Sequence, residues 1–104
     1  IDARSKERFE GKVPEPRKGL RSGCIKNSFC IPFNLCLNDD KTFKDKEELK
    51  NVFKSCLENI KEKNIVFSCG SGVTACVLAL AYSLINGKYQ PCIYDGSWAE
   101  YGLT

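Results

Sequence analysis

The sequence predicts one α/β domain built in three layers, with a mostly parallel central sheet and helices on both faces. Three observations predict it. Residues 65–67, Ile-Val-Phe, are apolar at successive positions, as in a parallel strand covered on both faces. Two long helical patterns flank that strand, at 42–60 and 73–85. Strand-like and helix-like stretches then alternate along the chain, as in βα units. A length of 104 residues suits a single domain.

Taken in order, Ile1-Asp2-Ala3 reads as the end of a strand, with a charged turn or short helix after it and Phe9 packing beneath. Residues 11–23 hold two prolines and three glycines, which exclude regular structure. A connection of that length is often functional. Residues 28–31 read as a short strand running through Pro32 into a loop. In the next helix Leu49, Val52, Phe53, Cys56, Leu57 and Ile60 form one apolar stripe, and Asp45 with Glu48 resembles a capping pair. The helix over 73–85 is apolar almost all round, so it is expected to be buried on most sides, with Asn86-Gly87 as its C-cap. Pro91 opens a strand through Cys92, Ile93 and Tyr94. Asp95-Gly96-Ser97 turns at its carboxyl end, beside the loop after residue 68, and Trp98 begins a last helix.

Composition narrows the function classes. Hydrophobic residues at 42% and charged residues at 28% are ordinary globular values. A net charge of +3 with dispersed lysines argues against a nucleic-acid partner. No apolar run is long enough to span a membrane, and no signal peptide is visible. The chain lacks methionine and opens directly on Ile-Asp-Ala-Arg, so it reads as a piece of a longer protein. Seven cysteines, no histidine and no Cys-x-x-Cys pair speak against a zinc site of common spacing, and no metal or cofactor is expected. Reduced thiols in an intracellular domain are the preferred reading of the cysteines.

Cys69 is the exception among them. It ends the strand and opens the glycine-rich loop Cys69-Gly70-Ser71-Gly72-Val73-Thr74, ahead of a helix. That edge of an open α/β sheet is where ligands bind. Loop amides and a helix N-terminus stabilise an anion and lower a thiol pKa. The same context gives Cys69 the character of a nucleophile. Cys56 is a stripe residue and is expected to pack, as is Cys76, two helical turns beyond Cys69.

The loop resembles the active-site loop of the rhodanese superfamily, and in particular that of the C-terminal catalytic domain of the 3-mercaptopyruvate sulfurtransferases. Asp2-Ala-Arg-Ser-Lys-Glu-Arg-Phe9, Pro14-Glu-Pro-Arg17, residues 27–33 and Tyr94-Asp-Gly-Ser-Trp98 resemble further motifs of that domain, in the same order. One segment departs from the pattern. Cys24-Ile25-Lys26-Asn27 stands where the family usually reads His-Ile-Pro-Gly.

The resemblance implies that residues 1–104 form a rhodanese-like catalytic domain, N-terminally truncated and second of two in a parent protein. It implies a sulfurtransferase that moves sulfur from 3-mercaptopyruvate to a thiol or cyanide through a Cys69 persulfide. Arg8 and Arg17 match the family's substrate-carboxylate arginines, and a guanidinium grips a carboxylate bidentately. Gly70, Gly72, Val73 and Thr74 would turn amides toward the anion. Ser71 matches a serine that family members link to a histidine and an aspartate of the N-terminal domain as a proton relay. With no histidine here, the lone domain would be weakly active or inactive. Neutral Gly70 and Ser71, where thiosulfate enzymes carry cations, favour mercaptopyruvate over thiosulfate. The implied partners are a small-molecule sulfur donor, a thiol acceptor such as thioredoxin, and the N-terminal rhodanese-like domain. The cytoplasm is the expected compartment, with the mitochondrion as alternative. Thiosulfate sulfurtransferase activity and a non-enzymatic interaction module are the competing readings. A cysteine-dependent phosphatase of the same fold would need arginine six residues after the cysteine, where Ala75 stands.

Overall fold

The computed structural model describes residues 1–58, 65–87 and 92–103. The segment at Asp2 lies between two neighbours. Its amide donates to the Phe29 carbonyl at 2.7 Å and its carbonyl accepts from the Ile31 amide at 2.9 Å. On the other side, the Ala3 amide donates to the Ser68 carbonyl at 2.8 Å and the Ser68 amide donates to the Ile1 carbonyl at 2.9 Å. Phe67 in turn pairs with Ile93. All three pairings are parallel, so the segments run in the spatial order 30, 2, 67–68, 93. Among the described residues each pairing is a single bridge rather than an extended ladder.

Parallel neighbours need crossovers. The first passes through α1 (Lys6–Phe9) and the 11–23 loop. Ser5 caps α1, its hydroxyl accepting from the Arg8 amide at 3.4 Å. The second crossover contains a 3-10 turn, Phe33–Cys36, and α2 (Lys46–Leu57). This helix starts at 46 rather than 42, because Leu37 and Phe43 form an antiparallel bridge and the Thr42 carbonyl is held by the Asn38 amide at 2.7 Å. Asp45 is extended and caps α2, accepting from the Glu48 amide at 2.9 Å. Ile60, last in the apolar stripe, and Pro91, the expected start of the final strand, lie outside the described residues.

The third crossover is α3 (Ala75–Ile85). It buries Ala75, Leu78, Ala79, Ala81 and Tyr82, but Leu80 and Leu84 are 52% and 44% exposed. An all-apolar pattern does not say which sides are covered, and α3 packs against α2 and the 3-10 turn along one face. Its C-cap is Asn86, where the sequence places it, but the residue is extended, at φ −140°, without a left-handed glycine after it. The chain closes through α4 (Ser97–Tyr101).

The core is centred on Phe53 of α2, Phe67 and Tyr82 of α3. Phe53 meets Tyr82 edge-on at 5.4 Å and Phe67 at 6.4 Å. Leu49 and Leu78 are fully buried beside them. Each such side chain contributes about 1.5–3 kcal/mol on burial. Phe67 and Ala75, at the two ends of the Cys69 loop, both belong to this core. In the 24–27 segment Asn27 takes φ 62°, a left-handed conformation that asparagine tolerates better than most residues.

Candidate active site

The Cys69 sulfur is enclosed, with the residue 1% exposed. Its Sγ accepts the Gly72 amide at 2.9 Å. Burial pushes the thiol pKa up. Hydrogen bonding from the Thr74 hydroxyl and from the amides of Ala75, Ser71 and Gly72 outweighs it, so the pKa lies below the ordinary thiol value. A donor ring of this kind stabilises a sulfur anion. Cys30 and Cys36 lie in the other class: burial raises both to about 11.

Two features hold the loop in this shape. Gly72 has φ +95°, and a Cβ there would meet the Asp95 carbonyl oxygen at 2.8 Å. The loop is also strapped to α4. The Cys69 amide donates to the Ser97 hydroxyl at 3.0 Å, and that hydroxyl donates to the Tyr94 carbonyl at 2.8 Å. The Trp98 amide donates to the Cys69 carbonyl and the Ala99 amide to the Gly70 carbonyl, at 2.9 and 2.8 Å. The turn at 95–97 therefore lies beside the Cys69 loop, as the sequence predicts.

A cleft of about 180 Å³ opens over the loop, with Arg8, Arg17, Gly70, Ser71 and Thr74 in its walls. A larger cavity, about 420 Å³, lies beside Ile1, Val66 and Tyr94 and touches none of residues 69–74. The small cleft is the one lined by Gly70, Ser71 and Thr74 of the Cys69 loop. Arg8 reaches over Gly70, where a Cβ would come within 2.8 Å of its Nη2. Ser71 and Arg17 are exposed at the cleft, and Val73 is turned to solvent, 72% exposed. Cys76 does not pack: it is exposed, its thiol donating to the Gly72 carbonyl at 3.5 Å. All seven cysteines are free.

Sequence reasoning gave no role to Glu15, Arg4, Asp2 or Ser97. Glu15, between the two prolines, has a side chain 1% exposed and takes the Nε–Nη2 edge of Arg8 at 3.1 and 2.7 Å. Burial pushes its carboxyl pKa up, but Arg8 and then Arg4 more than reverse this, and it lies below the usual carboxylate range. Arg4, 1% exposed, binds Asp2 at 2.8 Å and stacks 4.7 Å from the Trp98 ring centre. The available signal was a lone glutamate in the 11–23 loop, two residues before Arg17 and seven after Arg8.

A family model described as "Rhodanese-like domain" matches residues 1–104. The chain is 52% identical over 102 residues to "Thiosulfate/3-mercaptopyruvate sulfurtransferase 1, mitochondrial" of Arabidopsis thaliana, which covers 97% of this chain and 26% of the relative. It is 43% identical to "3-mercaptopyruvate sulfurtransferase" of Mus musculus, over 97% of this chain and 33% of the relative. The solved 3-mercaptopyruvate sulfurtransferase from Leishmania major matches with a TM-score of 0.80 at 34% identity, over 96% of this chain and 28% of that one. The chain thus spans between 26% and 33% of these curated relatives.

Proposed function

We propose, because the chain belongs to the rhodanese-like domain family, that it transfers sulfur from 3-mercaptopyruvate to a thiol or cyanide through a persulfide on Cys69. The Cys69 thiolate attacks the mercapto sulfur. The carbon–sulfur bond breaks and its electron pair leaves as the enolate of pyruvate, which takes up a proton. The acceptor thiolate or cyanide then attacks the outer sulfur, and the pair of the sulfur–sulfur bond returns to Cys69. Arg8 and Arg17 hold the substrate carboxylate in the cleft, and Ser71 faces the departing enolate.

The donor ring around Cys69 Sγ carries this reading. It suits a sulfur that is anionic both before attack and as the persulfide, and one such donor is worth about 3 kcal/mol in a comparable oxyanion site. The neutral pair Gly70 and Ser71 supports mercaptopyruvate as donor. The name of the Arabidopsis relative includes thiosulfate as well, and two arginines suit any small anion, so thiosulfate is the second donor in this reading.

Several finer points belong to the same proposal. The parallel pairings fit a three-layer sheet with helices on both faces. A thiol carrier such as thioredoxin is the acceptor, and an N-terminal rhodanese-like domain supplies the histidine that Ser71 lacks here. Seven free thiols suit the cytoplasm or the mitochondrion. Among the described residues no helix is long and apolar enough to cross a membrane. The test is mass spectrometry after exposure to 3-mercaptopyruvate without acceptor. One added sulfur on the Cys69 peptide, removed by cyanide, supports the reading. An unmodified Cys69 leaves a binding module instead.

A further inference from the structure

Four charged side chains form one alternating chain beneath the cleft. Asp2 and Arg4 are joined by contacts of 2.8 to 3.1 Å, and both side chains are buried. Arg4 Nη1 lies 3.4 Å from Glu15 Oε2 and is buried with no hydrogen-bond partner. Glu15 then holds Arg8 by two hydrogen bonds. Only the last member, Arg8, reaches solvent, at 28% exposure, and it does so over Gly70. Two carboxylates and two guanidiniums make the chain neutral as a whole.

A guanidinium has five N–H groups on two usable edges. Glu15 consumes the Nε–Nη2 edge, so the Nη1–Nη2 end is the one left to meet a carboxylate in the cleft. Arg8 stands on a four-residue helix beside a long loop, and nothing in that backbone alone would choose an edge. A carboxylate fixed between two arginines does choose one, because bidentate pairing sets orientation as well as energy.

We propose that Glu15 is a positioning residue: anchored by Arg4 and Asp2, it fixes which end of Arg8 faces the cleft and thereby orients a bound carboxylate toward Cys69. This rests on the reading of Arg8 as a substrate-carboxylate arginine. Two effects of Glu15 oppose each other. As a charge, Glu15 weakens the pull of Arg8 on anions; as an anchor, it strengthens the grip of Arg8 on a carboxylate.

The test compares alkylation of Cys69 by iodoacetate, which carries a carboxylate, with alkylation by neutral iodoacetamide. It uses the full natural chain containing these residues, read by mass spectrometry of the Cys69 peptide. Arg8→Ala should lower the iodoacetate-to-iodoacetamide rate ratio. Glu15→Gln should lower it as well, by at least about five-fold, because an amide cannot accept both N–H groups on one edge and still orient the other. A ratio that is unchanged or raised in Glu15→Gln, while Arg8→Ala lowers it, overturns the proposal. If Glu15→Gln does not fold by circular dichroism, Glu15→Asp replaces it, with charge kept and reach shortened. A lowered ratio supports the anchor, and an unchanged one overturns it. An unchanged ratio in Arg8→Ala removes the carboxylate reading of Arg8 and this inference with it.

Discussion

The Gly72 amide donates to the Cys69 sulfur at 2.9 Å, and the geometry that permits this is one no side chain can share. The left-handed φ of Gly72 costs an L-residue about 1–2 kcal/mol. A Cβ there would also press on the Asp95 carbonyl. Gly72→Ala should therefore shift the loop and withdraw the amide. The expected result is a Cys69 thiol pKa moved up toward the ordinary value, seen as a rightward shift of its iodoacetamide rate–pH profile.

Thr74→Val keeps the shape and removes the hydroxyl that helps hold the thiol pKa down. Hydrogen bonds to charged groups are worth about 1.5–3 kcal/mol, so Cys69 reactivity near neutral pH should fall by about ten-fold or more. Thr74→Ser should retain most of it. The same alkylation profile distinguishes the two.

Ser97 is fully buried and both accepts from the Cys69 amide and donates to the Tyr94 carbonyl. Ser97→Ala leaves a buried N–H and a carbonyl without that partner. The expected cost is about 1–3 kcal/mol, measured by denaturant unfolding.

The acid limb of stability carries the Glu15 pairing. The folded carboxyl has a pKa below its unfolded value, because the pull of Arg8 and Arg4 exceeds the upward push of burial. Its contribution is complete above the unfolded carboxylate pKa and is lost as pH falls through the folded one. Urea midpoints measured against pH should show a smaller acid loss in Glu15→Gln than in the unaltered chain.

What could be read from sequence was what is local. The Cys69 loop is legible because a strand end, two glycines and a helix start carry their chemistry in six consecutive residues. The Asp45 cap of α2 is legible for the same reason. Glu15 was hidden because its meaning depends on Arg4 and Arg8 meeting it across a loop. Ser97 was hidden because its partner amide lies 28 residues away. The exposure of Cys76 and Leu80 was hidden because apolar composition names no covered face.

The most direct measurement is pyruvate release from 3-mercaptopyruvate with a reducing thiol as acceptor, run beside thiosulfate turnover. It uses the full natural chain and its Cys69→Ala variant. Sulfur transfer through Cys69 should give pyruvate formation that exceeds turnover of thiosulfate and disappears in the variant. Pyruvate formation that survives Cys69→Ala, or no turnover of either donor by the unaltered chain, would contradict it.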